Sequence, residues 1–297
     1  MELPVINHED YFAKIGDDHK FPINKFGELA NYLLKKKIIN HFHKPYPCSV
    51  KTLKGAHSQT YISNIINKSL DQNGVKKIGF PLVDSVVKRS LVATGGTVLA
   101  SKLALEYRIA CNTAGGSHHA NFDGGAGYCV FNDVAVAANY LLNKGLVKKI
   151  LIVDLDVHQG NGNSDIFENN KNVFTFSMHS KSNYPAKKSK SDLDIELEDN
   201  TEDQKYIETL KDSIQLLNKQ KFDFVFYIAG VDVHFNDRLG KLKLSDDGIK
   251  KREEIVIGNF FSKKIPICGV LGGGYNKNFD KLVELHSILH ETCAKYI

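Results

Sequence analysis

Four short stretches of the chain are apolar at almost every position: Ile150 to Val153, Val173 to Met178, Phe224 to Ala229 and Ile265 to Leu271. A strand with one wet face alternates polar and apolar residues, so an unbroken apolar run marks a strand covered on both faces, as in a parallel sheet. Helical segments precede these runs, among them Asn132 to Leu142, Thr201 to Leu217 and Asp246 to Phe261. The alternation predicts an α/β fold, a three-layer sandwich with a mainly parallel central sheet and helices on both faces. With no internal repeat and no low-complexity linker, residues 1–297 read as a single domain.

Composition narrows the class without naming an activity. A content of 42% hydrophobic and 25% charged residues is that of a globular chain. The net charge of +5 is scattered apart from short clusters at Lys35 to Lys37, Lys187 to Lys190 and Lys250 to Arg252. Such clusters read as solvated surface, so no direct nucleic-acid partner is expected. Five cysteines (Cys48, Cys111, Cys129, Cys268, Cys293) are dispersed and form no CxxC pair, which argues against a disulfide framework or a thiolate metal site and for a reducing compartment. Met1 to Asp10 holds no apolar core segment, and no run approaches the roughly 18 apolar residues of a membrane span. The expectation is a soluble cytoplasmic protein, or a nuclear one in a eukaryote, with no membrane partner; the oligomeric state is left open.

The informative polar residues fall beyond the carboxyl ends of the strands, where parallel sheets bind ligands. Asp154, Asp156 and His158 follow Ile150 to Val153 in the run DLDVH, and a continuing strand would put all three on one face. Two carboxylates and an imidazole packed together are costly without a cation, and a divalent metal is the simplest neutraliser; the alternative is a solvated strand end with a chance DxDxH. Asp232, after Phe224 to Ala229, can supply a third ligand and leave a fourth position open, although a lone Asp there is more commonly a turn or cap residue. Gly115 to Ala120 (GGSHHA) reads as a tight loop presenting His118 and His119, one of them a general base, or as a flexible loop with two surface histidines. Gly272-Gly273-Gly274-Tyr275 either offers its phenol to a developing oxyanion or is a glycine turn with a packed tyrosine.

Taken together and in this chain order, the four clusters resemble the active-site set of the histone deacetylase family, over most of the chain from His57-Ser58-Gln59-Thr60-Tyr61 to Tyr275 and beyond. Asp154 to Gly162 (DLDVHQGNG), Thr94 to Leu105 (TGGTVLASKLAL), Asp237-Arg238-Leu239-Gly240 and the Leu271 to Asn276 loop are most similar to its class IV branch. The resemblance implies an arginase/deacetylase-like fold and a Zn2+ ion held by Asp156, His158 and Asp232. It makes His118 and His119 the paired histidines, with Asp154 orienting His118, and Tyr275 the transition-state phenol. Gly127 and Tyr128 would form one wall of an acyl-lysine tunnel, Tyr184 the opposite wall, and Leu239 an apolar residue at its floor. A structural K+ ion near Asp154 to His158 and the Ser177 region is also implied. Two departures stand out: Asn161 lies where many members have an acid behind the second histidine, and Lys187 to Asp194 is charged where many relatives are glycine-rich.

The activity so implied is that of a zinc-dependent lysine deacylase, an amide hydrolase removing acetyl or longer fatty acyl groups from lysine side chains of a protein or peptide. His119 would take a proton from the attacking water and return it to the leaving amine, while Tyr275 shares the oxyanion. An acetylpolyamine amidohydrolase with an acidic tunnel mouth is the main alternative. A binuclear manganese ureohydrolase is suggested by the repeated Asp-x-His at Asp232 and His234 but lacks bridging carboxylates, which leaves His234 as a rim residue. A non-enzymatic acyl-lysine reader is the third. Acyl length and the identity of the substrate are not written in the sequence.

Overall fold

The computed structural model describes residues 2–297. Seven strands, β1 (Val5–Ile6), β2 (Ile109–Asn112), β3 (Ile150–Asp154), β4 (Val173–Ser180), β5 (Leu193–Leu197), β6 (Phe224–Ile228) and β7 (Ile267–Val270), form one sheet in the order β1-β2-β7-β6-β3-β4-β5. Every pairing in it is parallel. The four apolar runs are β3, β4, β6 and β7, and β3 and β6 are buried at every position. Helix Asp84–Tyr107 packs on β2, β7 and helix Asp133–Asn143, while helices Phe279–Ala294, Asp246–Ser262 and Asp203–Leu217 pack against one another in series. These two groups sandwich the sheet and remove from water the apolar side chains of its central strands.

Three strands escape the hydrophobic pattern for separate reasons. β1 has two residues, β2 reads IACN and ends on a polar residue, and β5 reads LDIEL because it is an edge strand with a partly exposed face. The helix before β3 and the helix after β6 start on side-chain caps: Asn132 Oδ1 accepts the Ala135 N–H at 2.9 Å, and Ser245 Oγ accepts the Gly248 N–H at 3.1 Å.

The strand order positions the site. β2, β7, β6 and β3 lie side by side, and the register pairs Asp154 of β3 with Ile228 of β6, and Ile228 with Val270 of β7. Loops leaving the carboxyl ends of these four strands therefore open into one crevice. Among the described residues no helix is long and apolar enough to cross a membrane.

Candidate active site

β3 stops at Asp154, so Asp156 and His158 are not brought round by the strand alternation the sequence suggests. The carboxylates themselves bend the chain. Asp154 Oδ1 accepts the Asp156 N–H at 3.2 Å, and Asp156 Oδ1 accepts the His158 N–H at 3.0 Å. Each is an Asx turn, which Asp favours because its short side chain reaches the amide two residues on. The result is the expected convergence: His158 Nδ1 lies 3.0 Å from Asp156 Oδ1 and 3.1 Å from Asp232 Oδ2.

Donors held at about 2.0–2.1 Å by a tetrahedral zinc stand about 3.3 Å apart, close to this spacing. Asp232 Oδ1 accepts the Val157 N–H at 3.0 Å, but its buried Oδ2, although near the imidazole, has no aligned hydrogen-bond donor. Burial and the charge of Asp156 push the Asp232 carboxyl up to about 7. Burial also opposes the charge of Asp156, but His118 and His158 outweigh it and hold that carboxyl well below its ordinary range. An orphaned carboxylate oxygen in a repelling buried pair calls for a cation. Among the described residues this is the only His/Cys/Asp/Glu group whose ligand atoms all lie within 4.8 Å of one another. His234 is outside it: expected at the rim, it is buried, with Nε2 3.1 Å from Asp246 Oδ1 and Nδ1 accepting the Asn236 N–H. Its burial follows from the main-chain bridge between His234 and Leu244, which draws the ring towards the start of helix Asp246–Ser262.

The paired histidines sit at the end of the β2 loop, both buried, with ring centroids 4.1 Å apart. His118 Nδ1 is 2.7 Å from Asp154 Oδ2, and its Nε2 faces Asp156 Oδ1 at 3.9 Å. Burial works against a charge on His118, but Asp154 and Asp156 prevail and push it up to about 9. His119 is the opposite case. Burial, then the neighbouring His118 and His158, hold it well below the ordinary imidazole value, and its Nδ1 meets only the neutral Asn161 Oδ1, at 2.7 Å. Adjacent imidazoles are thus driven to different protonation states by different partners.

The β7 loop closes the other side. Gly273 N–H donates to Asp156 Oδ2 at 2.6 Å, and a Cβ there would come within 2.0 Å of Asp232 Oδ2, so only glycine permits this approach. Tyr275 is clamped by its main chain: its N–H donates to Asp237 Oδ2 at 2.6 Å and its carbonyl accepts from Arg238 Nε at 2.9 Å. Burial, together with Asp232 and Asp156, holds the Tyr275 phenol well above its usual value, so it stays protonated.

His118, His119, Asp156, His158, Gly127, Tyr128 and Tyr275 line an inner cavity of about 40 Å³. Gly127, with φ +54° and a notional Cβ 2.5 Å from His119 Cδ2, lets the wall approach the imidazole. Tyr184 lies on the outer side, its ring edge-on to His119 at 4.8 Å. Leu239 is the exception: half-buried in the turn that Asp237 Oδ1 organises, it lines neither the inner cavity nor the vestibule outside it.

Several residues essential to this geometry carry no sequence signal. Asp133 reads as an ordinary first-turn acid, yet it accepts from Gly116 N, Ser117 N and Thr97 Oγ1 and so fixes the histidine loop. Lys25 and Arg89 look like surface cations on helices but are buried. Lys25 Nζ donates to Gly272 O at 3.3 Å and Gly274 O at 3.5 Å, behind the tyrosine loop, and burial lowers it to about 8 despite Asp232 and Asp156. Arg89 stacks on Phe26 at 4.7 Å and donates to Tyr11 O.

Residues 19–288 match the histone deacetylase domain. The chain is 42% identical over 293 residues to an uncharacterized protein of Picosynechococcus sp., with 98% of each chain covered. It is 28% identical over 285 residues to histone deacetylase 2 of Arabidopsis thaliana, covering 92% of this chain and 73% of that one. Its structure is similar to that of an HDAC homologue complexed with SAHA, at a TM-score of 0.84 and 25% identity, covering 99% of this chain and 84% of the other.

Proposed function

The chain belongs to the histone deacetylase family, and on that premise we propose that it is a zinc-dependent lysine deacylase, hydrolysing the amide between a short acyl group and a lysine side chain of a protein or peptide. One observation carries this reading. Asp156 and His158, which share their cluster with the orphaned Asp232 Oδ2, line the same small cavity as a neutral imidazole and a protonated phenol.

Zinc held by Asp156, His158 and Asp232 would polarise the acyl carbonyl and lower the pKa of a water towards about 7. The remaining steps fall to the protein's own groups. Because Asn161 Oδ1 is an acceptor, the proton of neutral His119 sits on Nδ1 and its Nε2 lone pair is free. That nitrogen takes the proton of the attacking water as the acyl carbon–oxygen bond forms. It then returns the proton to the lysine nitrogen as the carbon–nitrogen bond breaks, leaving a carboxylic acid and an amine, which become carboxylate and ammonium by transfer of the acid proton. His118, hydrogen-bonded to Asp154, keeps a positive charge beside the cavity, and the Tyr275 phenol donates to the tetrahedral oxyanion.

The inner cavity is small, about 40 Å³, and its size favours a short acyl group such as acetyl. Peptides bearing acetyl-, butyryl- and myristoyl-lysine, assayed with and without a zinc chelator beside an N-acetylated polyamine, test the reading. Chelator-sensitive turnover falling from acetyl to myristoyl is expected. No turnover, indifference to the chelator, or a polyamine hydrolysed ahead of every peptide contradicts it.

A further inference from the structure

Outside the inner cavity lies a vestibule of about 750 Å³, joined to it through a shared lining of His119, Gly127 and Tyr128. Its permanently charged lining is two lysines, Lys76 and Lys77, against one acid, Asp123. Both lysines are exposed and neither forms an ion pair among the described residues. The acid at the far end of the same helix, Asp71, is engaged as its N-cap on Gly74 N–H.

These lysines are not free to drift from the tunnel. They occupy the last turn of helix Gln72–Ile78, which ends on Gly79 at φ +80°. The main chain of that turn is bonded to the tunnel wall: Gly127 N–H donates to Lys77 O at 3.0 Å and Tyr128 N–H to Ile78 O at 2.7 Å. Tyr184 lines the same vestibule, and Lys188 Nζ is taken up by Asn183 O and Pro185 O on either side of it, so the rim's free cations are Lys76 and Lys77. Resting on the deacylase reading above, we propose that this rim makes the enzyme selective for acyl-lysine in an acidic peptide segment, a carboxylate beside the acylated residue meeting Lys76 and Lys77. The same charges repel a polycation, which sets the site against acetylated polyamines and lysine-rich tails. Complementary charge at a cleft mouth acts on encounter and register, so the effect belongs in kcat/KM and weakens with salt.

The test compares acetyl-lysine peptides flanked by Glu, Ala or Lys, using zinc-loaded wild-type protein and the double variants K76Q/K77Q and K76E/K77E. Exposed charge pairs are individually weak, so kcat/KM for the Glu-flanked peptide is expected to exceed that for the Lys-flanked one by about three- to tenfold. The preference should shrink as ionic strength rises from about 0.05 to about 0.5 M. It should vanish in K76Q/K77Q and reverse in K76E/K77E. Equal rates for all three peptides in the wild type, or an unchanged ranking in both variants, overturns the charge selection while leaving the deacylase reading intact. No turnover of any peptide removes both.

Discussion

In the proposed mechanism proton transfer turns on His119, whose state is set by what it lacks. Its Nδ1 meets an amide oxygen rather than a carboxylate, in a buried setting beside two other imidazoles, and its pKa lies well below the ordinary value. A depressed imidazole pKa means the base is already neutral at pH 7 and is lost only well into acid. Asn161→Asp supplies a negative acceptor that favours imidazolium, so the acidic limb of the kcat/KM profile is expected to move to higher pH. An unmoved limb means that His119 is not the titrating base. Tyr275→Phe removes one oxyanion donor and is expected to lower kcat about 10²- to 10³-fold with zinc content unchanged. At this scale the sequence was legible where chemistry forces a residue type: Asp156, His158, the histidine pair and Tyr275 line one cavity, and Asp232 joins Asp156 and His158 in one cluster beside it. It was silent on Lys25, Arg89 and Asp133, because a buried charge and an exposed one have the same neighbours along a helix. It also misplaced His234 at the rim.

Elements hold these side chains through their termini. Asn132 caps helix Asp133–Asn143, while its Nδ2 donates to Ala120 O at 3.0 Å and to Asn163 Oδ1 at 2.9 Å, tying the helix start to the segment after His119. Asn132→Ala removes the cap and leaves buried acceptors unpaired, so denaturant unfolding should show a loss of about 2–3 kcal/mol. A loss under about 0.5 kcal/mol would show that the helix start is held by other contacts. The Asp237 and Arg238 clamp on Tyr275 does similar service for the β7 loop. Apolar runs identified β3, β4, β6 and β7, since strands covered on both faces must be apolar throughout. They could not reveal the two-residue β1 or the edge strand β5. At the end of β3 the convergence was right and its cause was not, because Asx turns rather than pleat alternation carry Asp156 and His158 inward.

On the scale of the whole molecule, the adjacent ends of β3 and β6 deliver two carboxylates to one buried point, and a cation there should be coupled to stability. Free zinc at about 100 times its Kd stabilises a fold by about 2.7 kcal/mol, so chelation should lower the melting temperature by about 5 °C. In Asp232→Asn, which lacks one ligand and the repulsion between the two carboxylates, the fall on chelation should be much smaller; an equal fall places the metal elsewhere. The most direct measurement is an anomalous difference map collected at the zinc absorption edge from crystals of the zinc-loaded protein. The expected result is one peak per chain, within about 2.2 Å of the Asp156 and Asp232 carboxylates and of His158 Nδ1. A peak elsewhere, a pair of peaks a few ångströms apart, or no peak between these three residues would contradict the account.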